Sequence, residues 1–106
     1  MNVYRVDPLD ALGDPTRRAI VERLFDGPKP VGELARGFPV SRPAISHHLR
    51  ILKEANLVTD QADGTRRLYS LNPEGFDLLR DYFDRFWGQA LKAFKKKLEE
   101  SEEEPK

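Results

Sequence analysis

The sequence predicts a mainly α-helical fold with one β-hairpin, and three observations carry that prediction. Asp7-Pro8, Asp14-Pro15 and Asn72-Pro73 each pair a capping side chain with a proline suited to the first helical position. Between Val31 and Asn56 two helical segments meet at a tight corner, and the second keeps its apolar residues on one face. Asp63-Gly64 stands between two short β-prone runs, a strong signal for a two-residue hairpin turn.

The first helix, Pro8 to about Leu12, is short and carries Leu9 and Leu12. The second runs from Pro15 to about Phe25, with Ile20, Val21, Leu24 and Phe25 as its core stripe, and stops at Gly27-Pro28. Thr16, Arg17 and Arg18 lie in its first turn, where free amides and the positive helix end favour a phosphate. An ordinary solvated helix start explains the same three residues. The third helix, Val31 to Arg36, has Pro30 where a capping Ser or Thr would suit and Glu33 where a capping box would close. With half the box missing, its start is expected to be softer.

The chain then breaks at Gly37, turns through Phe38, Pro39 and Val40, and opens a fourth helix at Ser41, a good N-cap. Pro43 is tolerated in the first turn, whose amides have no intrahelical partner. Ile45, Leu49 and Leu52 recur at steps of four and three and share one face, with Ala44 beside them. Arg42, Pro43, Ser46, His47, Arg50 and Lys53 point away. No carboxylate occurs between Phe38 and Lys53. A helix solvated for its own sake mixes both signs, so a one-signed outer face points to a polyanion. Two helices with a short corner and a bare, basic second helix form the helix-turn-helix arrangement, which lays its second helix in the DNA major groove.

Leu57-Val58-Thr59 and Leu68-Tyr69-Ser70-Leu71 are the strand-like segments of the hairpin. A type I′ turn centred on Asp63-Gly64 pairs Gln61 with Arg66 and Asp60 with Arg67. A helix-turn-helix followed by such a hairpin is a winged helix. Arg66 and Arg67 near the wing tip suit phosphate or minor-groove contact; pairing with Asp60 and solvation is the alternative.

From Pro73 a long helix is expected to about Glu100, roughly 40 Å at 1.5 Å per residue. Phe76, Leu79, Phe83, Phe86 and Ala90 form one apolar seam and Trp87, Leu91, Phe94 and Leu98 another. The band is too wide and aromatic for a small domain to cover alone. The expectation is a homodimer built on Phe83, Phe86, Trp87, Ala90, Leu91 and Phe94, helped by Leu9, Leu12 and other residues before Asp14, as an isologous two-fold interface. Asp77, Asp81 and Asp84 alternate with Arg80 and Arg85 at ion-pair spacing and mark a solvated face. Lys95, Lys96 and Lys97 suit the negative end of the helix dipole. Residues 1–98 thus make one winged helix-turn-helix and dimerisation domain, and residues 99–106 an acidic tail expected to be disordered.

A chain of 106 residues makes one small domain without room for a separate ligand-binding domain. No signal peptide or membrane-length apolar run is present, so a soluble cytoplasmic protein is the expectation. Without cysteine, disulfides, thiolate metal sites and cysteine nucleophiles are excluded. The formal charge of zero conceals an uneven distribution: residues 1–98 hold 17 bases against 13 acids, a net +4. Phosphate binding depends on where those cations sit.

His47 and His48 make a poor metal pair, because adjacent helical residues point about 100° apart and no nearby ligand completes a tetrahedral site. Ser46 and His47 diverge likewise and lack an orienting carboxylate, so they are no nucleophile pair. His47 is better suited to a base edge or phosphate, and His48, nearer the apolar face, to internal packing. No metal, cofactor or enzymatic activity is expected.

The segments LGDPTRRAIVERL (Leu12 to Leu24), ELARGFPVSRPAISHHLRILKEANLV (Glu33 to Val58) and DGTRRLYSLNP (Asp63 to Pro73) resemble the ArsR family of small dimeric winged-helix repressors. The resemblance covers about residues 9 to 98, and the run S-x-x-x-I-S-H-x-L-x-x-L from Ser41 to Leu52 is its most specific part. It implies DNA contacts at Arg42, Pro43, Ser46 and His47, with Arg50 and the wing arginines toward phosphates. Pro43 departs from the polar residue often found there and leaves only apolar contact, for example with a thymine methyl. Metal-responsive members use cysteines near the DNA-binding helices or His and carboxylate pairs on the terminal helix. Those switches do not carry over to a cysteine-free chain with both histidines in the recognition helix. The resemblance is to non-metal repressors, some of which control their own operon.

The sequence therefore predicts a sequence-specific repressor, homodimeric on double-stranded DNA with an inverted-repeat operator, whose effector it does not name. Thr16, Arg17, Arg42, Pro43, Ser46, His47, Arg50, Lys53, Arg66 and Arg67 are the expected DNA-binding residues. A protein-interaction module that keeps a winged-helix core without binding DNA is the alternative.

Overall fold

The computed structural model describes residues 6–103. Its elements are α1 (Pro8–Ala11), α2 (Pro15–Arg23), β1 (Lys29–Pro30), α3 (Val31–Ala35), α4 (Arg42–Glu54), β2 (Val58–Asp63), β3 (Arg66–Leu71) and α5 (Pro73–Glu103). Three helices start at the three expected prolines, but the capping side chains behave differently. Asp14 caps α2 by accepting from the Arg17 amide at 3.0 Å, and that bond holds its carboxyl below the ordinary range. Asp7 makes no side-chain cap bond, and the Asn72 side-chain nitrogen donates to Asn56. Proline fixes φ for the first turn whether or not the preceding side chain caps, which is why the starts hold. α3 also lacks a side-chain cap, whereas Ser41 Oγ caps α4 by accepting from the Ala44 amide at 3.2 Å.

After Arg23 the chain tightens into a 3₁₀ turn, Leu24–Asp26. This corrects the expected core stripe: Leu24 is buried but Phe25 is 67% exposed. Three residues per turn advance each side chain further than 3.6 do, and Phe25 is carried to the outside.

The sheet has three antiparallel strands in the order β1-β3-β2, not the two expected. β1 contributes two residues, with Lys29 opposite Tyr69 and Pro30 opposite Leu68. A two-residue strand has no period to detect, and its proline is tolerated because the strand lies at an edge. The hairpin register also differs from expectation. Asp63 lies opposite Arg66 and Asp60 opposite Tyr69, so the turn residues are Gly64 and Thr65. Gly64 has φ +64° while Thr65 does not have positive φ, which matches a turn with glycine at its first central position. The displacement is two residues along the partner strand, so every side chain keeps its face and Asp60 and Arg67 become diagonal neighbours.

The core is built from Ile20, Leu34, Ile45, Leu49, Leu52, Leu57 and Val58, all fully buried. The expected apolar face of α4 is thus its inner face. One junction closes this unit. Asn56 takes positive φ, its carbonyl and side-chain oxygens accept from Asn72 Nδ2 at 3.0 and 2.9 Å, and the first turn of α5 lies on its backbone. A Cβ on Gly75 would stand 1.8 Å from the Asn56 carbonyl oxygen.

The described residues up to Phe76 form one packed unit, and from Asp77 the helix is a unit by itself. α5 has 31 residues, about 46 Å at the α-helical rise. The helix passes Leu98 and continues to Glu103, into the acidic stretch. Glu and Lys are good helix formers, and Lys95 with Glu99 and Lys96 with Glu100 place opposite charges four residues apart. Residues 104–106, like residues 1–5 of the leading segment expected to help dimerisation, lie outside the described residues. Among the described residues no helix is long and apolar enough to cross a membrane.

Candidate nucleic-acid interface

With Ile45, Leu49 and Leu52 fully buried, helical geometry turns the opposite face of α4 outward. Arg42, Pro43, Ser46, His47 and Arg50 come together there and line one open depression. The Arg42 guanidinium reaches back along α3, 3.9 Å from where a Cβ on Gly32 would stand. Arg50 Nη2 and His47 Nδ1 are 3.1 Å apart. That pairing joins two of the expected contact residues on one exposed surface.

The other expected residues are more tied. Lys53, in the last turn of α4, reaches Asp60 of β2 at 2.6 Å. Arg67 of β3 donates from Nε to the second Asp60 oxygen at 2.7 Å. The Asp60 side chain is only 8% exposed. Its carboxyl is held below the ordinary range, chiefly by the Lys53 bond and next by Arg67, against the opposing effect of burial. Arg66 donates to Asp63 at the wing tip, at 3.2 Å. The pairing of Arg67 with Asp60 expected as an alternative is therefore present, across the diagonal rather than directly opposite.

Arg17 departs most from its expected place at a phosphate. Its Nε donates to the Ala11 carbonyl at 2.7 Å, and Nη2 lies 3.4 Å from the Asp10 carbonyl. Nη1 lies 3.2 Å from His48 Nδ1. The side chain is thus turned inward as a brace between the end of α1, α2 and the recognition helix. Sequence spacing placed Arg17 in a helix first turn correctly but could not show that the end of α1 would bring two carbonyls within its reach. Thr16 is half-buried beside it, and Arg18 is exposed. His48 is half-buried and engaged with Arg17, as its position near the apolar face suggests.

Arg23 was not singled out by sequence. Its Nη1 donates to the Leu34 carbonyl at 3.0 Å and to the Arg36 carbonyl, and its guanidinium carbon lies 4.1 Å from the centre of the Phe38 ring. It therefore satisfies the open carbonyl end of α3 and holds the corner that aims α4. An arginine two residues before the predicted end of a helix carries no local signal for this task.

On α5, Phe83, Phe86, Trp87, Leu91 and Phe94 are 48 to 63% exposed, and Ala90 is exposed as well. Leu78 and Tyr82 extend the apolar band at 47 and 43% exposure, and the Tyr82 ring stacks on Phe86 with centroids 6.5 Å apart. The steps 78, 82, 86 are four residues each and were visible in the sequence as a further seam. Leu9 and Leu12 are half-buried, Leu12 packing against the core.

A recognition helix with a buried apolar face, a tight corner before it and a hairpin behind it define a winged helix-turn-helix protein. The family model described as the arsR family of bacterial regulatory proteins matches residues 14–60. The HTH-type transcriptional regulator Rv2034 of Mycobacterium tuberculosis is 61% identical over 84 residues, 79% of this chain and 78% of that protein. The transcriptional repressor SdpR of Bacillus subtilis is 47% identical over 62 residues, 58% of this chain and 69% of that one. Among solved structures, a possible transcriptional regulator for arsenical resistance superposes with a TM-score of 0.73 at 50% identity, covering 77% of this chain and 85% of its own. The chain belongs to the ArsR family of winged helix-turn-helix transcriptional regulators. Its relatives are regulators and repressors, so the expectation of a regulator rather than an enzyme holds.

Proposed function

We propose that the chain is a sequence-specific DNA-binding repressor that acts as a homodimer. The observation that carries this reading is the open depression on α4, where Arg42, Pro43, Ser46, His47 and Arg50 come together with cationic and hydrogen-bonding groups suited to base edges and phosphates. Arg66 and Arg67 on the wing and Lys53 at the end of α4 supply flanking phosphate contacts. The apolar band of α5 supports the dimer: a row with Trp87 63% and Phe94 61% exposed is larger than the scattered apolar residues a monomer leaves in water. Two recognition helices related by a two-fold would enter successive major grooves about 34 Å apart, so the operator is an inverted repeat with that half-site spacing or a multiple of it. Bound there, the dimer occludes polymerase and needs no chemistry of its own. Its place of work is the cytoplasm, with the DNA.

The test is to incubate the purified protein with sheared genomic DNA of its own organism and sequence the retained fragments. An enriched inverted repeat next to a promoter is expected. A folded protein with no salt-dependent affinity for any duplex would overturn the reading and favour a protein-interaction module.

A further inference from the structure

Lys53 and Arg67 lie 14 residues apart in sequence, one closing the recognition helix and the other in the wing, yet both end on the same carboxylate. Lys53 Nζ sits 2.6 Å from one Asp60 oxygen and Arg67 Nε 2.7 Å from the other. The two cations keep about half their side-chain surface exposed, 53 and 54%, while Asp60 keeps 8%. The carboxylate is therefore nearly enclosed, and the cations remain open to a second anion on their outer sides. Three groups with a net charge of one stand where two free cations would otherwise stand.

We propose that Asp60 is a positioning residue for DNA binding: it joins the recognition helix to the wing through Lys53 and Arg67, and screens both cations until phosphates take them over. This rests on the DNA-binding reading above. Two consequences separate it from a purely structural role. Removing the Asp60 charge adds one net positive charge to the contact surface, so affinity for DNA of any sequence should rise and depend more steeply on salt. Loosening the joint between helix and wing should at the same time reduce discrimination between operator and other DNA.

The experiment is fluorescence anisotropy with wild type, Asp60→Asn and Asp60→Glu. The probes are a mixed-sequence duplex and the duplex recovered from the genomic selection, titrated across a range of salt concentrations. For Asp60→Asn on the mixed duplex, the slope of log K against log salt should steepen by about 0.9, so its gain over wild type should shrink about 3.5-fold between about 50 and about 200 mM salt. Asp60→Glu keeps the charge on a longer arm. It should keep the wild-type slope and lose part of the preference for the selected duplex. A lower melting temperature alone, with salt slope and preference unchanged, would mean that Asp60 is only structural and would overturn the proposal. If Asp60→Asn does not fold, Asp60→Glu with wild-type preference overturns it alone. Wild-type protein without salt-dependent binding to either duplex would instead bring down the DNA-binding reading, and this inference with it.

Discussion

Gly75→Ala isolates the close approach on which the first packed unit depends. The new Cβ would lie 1.8 Å from the Asn56 carbonyl oxygen and 2.8 Å from its carbon, whereas even a close C···O contact is about 3.3 Å. Both are backbone atoms, so no side-chain rotation relieves the overlap, and the two segments must part by about 1.5 Å. That movement strains the Asn72 bonds to Asn56 and the Asn72 amide bond to the Leu57 carbonyl at 2.9 Å. It also disturbs Leu57, which is fully buried. Overpacking costs about 1 to 3 kcal/mol and each weakened hydrogen bond about 1 kcal/mol. Alanine's helix propensity returns about 1 kcal/mol. The expected net loss is about 3 to 5 kcal/mol, a drop in melting temperature of about 12 °C or more.

Gly88 supplies the control. It lies in the same helix with nothing within 4 Å of its would-be Cβ, so Gly88→Ala should stabilise by about 1 kcal/mol through propensity alone. Thermal unfolding followed by circular dichroism at one fixed protein concentration reads both variants. A Gly75→Ala protein as stable as wild type would refute the close packing of α5 on Asn56.

Arg23→Ala should destabilise by about 2 kcal/mol, since it leaves the Leu34 and Arg36 carbonyls without their donor and removes the stack on Phe38; urea unfolding measures this. Arg42→Ala or His47→Ala should weaken specific DNA binding by about 1 to 3 kcal/mol with an unchanged melting temperature, checked by gel shift against the selected duplex. Trp87→Glu should yield monomers that bind DNA poorly, seen by sedimentation velocity. Asp14 and Asp60 are both held below the ordinary carboxylate value of 3.8. Near that pH the unfolded chain binds more protons than the folded one. Their contribution to stability is thus complete above the unfolded value and is lost as the pH falls through the lowered ones. Asp60→Asn should flatten this acid limb of the stability curve, measured by urea unfolding at successive pH values.

Local rules alone determined a good part of this protein. The prolines at 8, 15 and 73, the cap at Ser41 and the four-and-three spacing of Ile45, Leu49 and Leu52 act within one or two helical turns. They set the helix starts and decided which face of α4 turns outward, and so brought Arg42, Pro43, Ser46, His47 and Arg50 together. What the tertiary structure decided depends on which backbone or carboxylate arrives from elsewhere. Arg17 and Arg23 turn inward because α1 and α3 end with carbonyls within their reach, and nothing near either arginine in sequence announces those acceptors. Lys53 belongs to a stretch without carboxylates, yet the fold returns Asp60 to its side. Gly75 carries no helix-breaking role in the sequence, and only the approach of Asn56 leaves its position without room for a Cβ. Helical period and capping are properties of neighbours along the chain, whereas charge pairing and close backbone contact belong to neighbours in space.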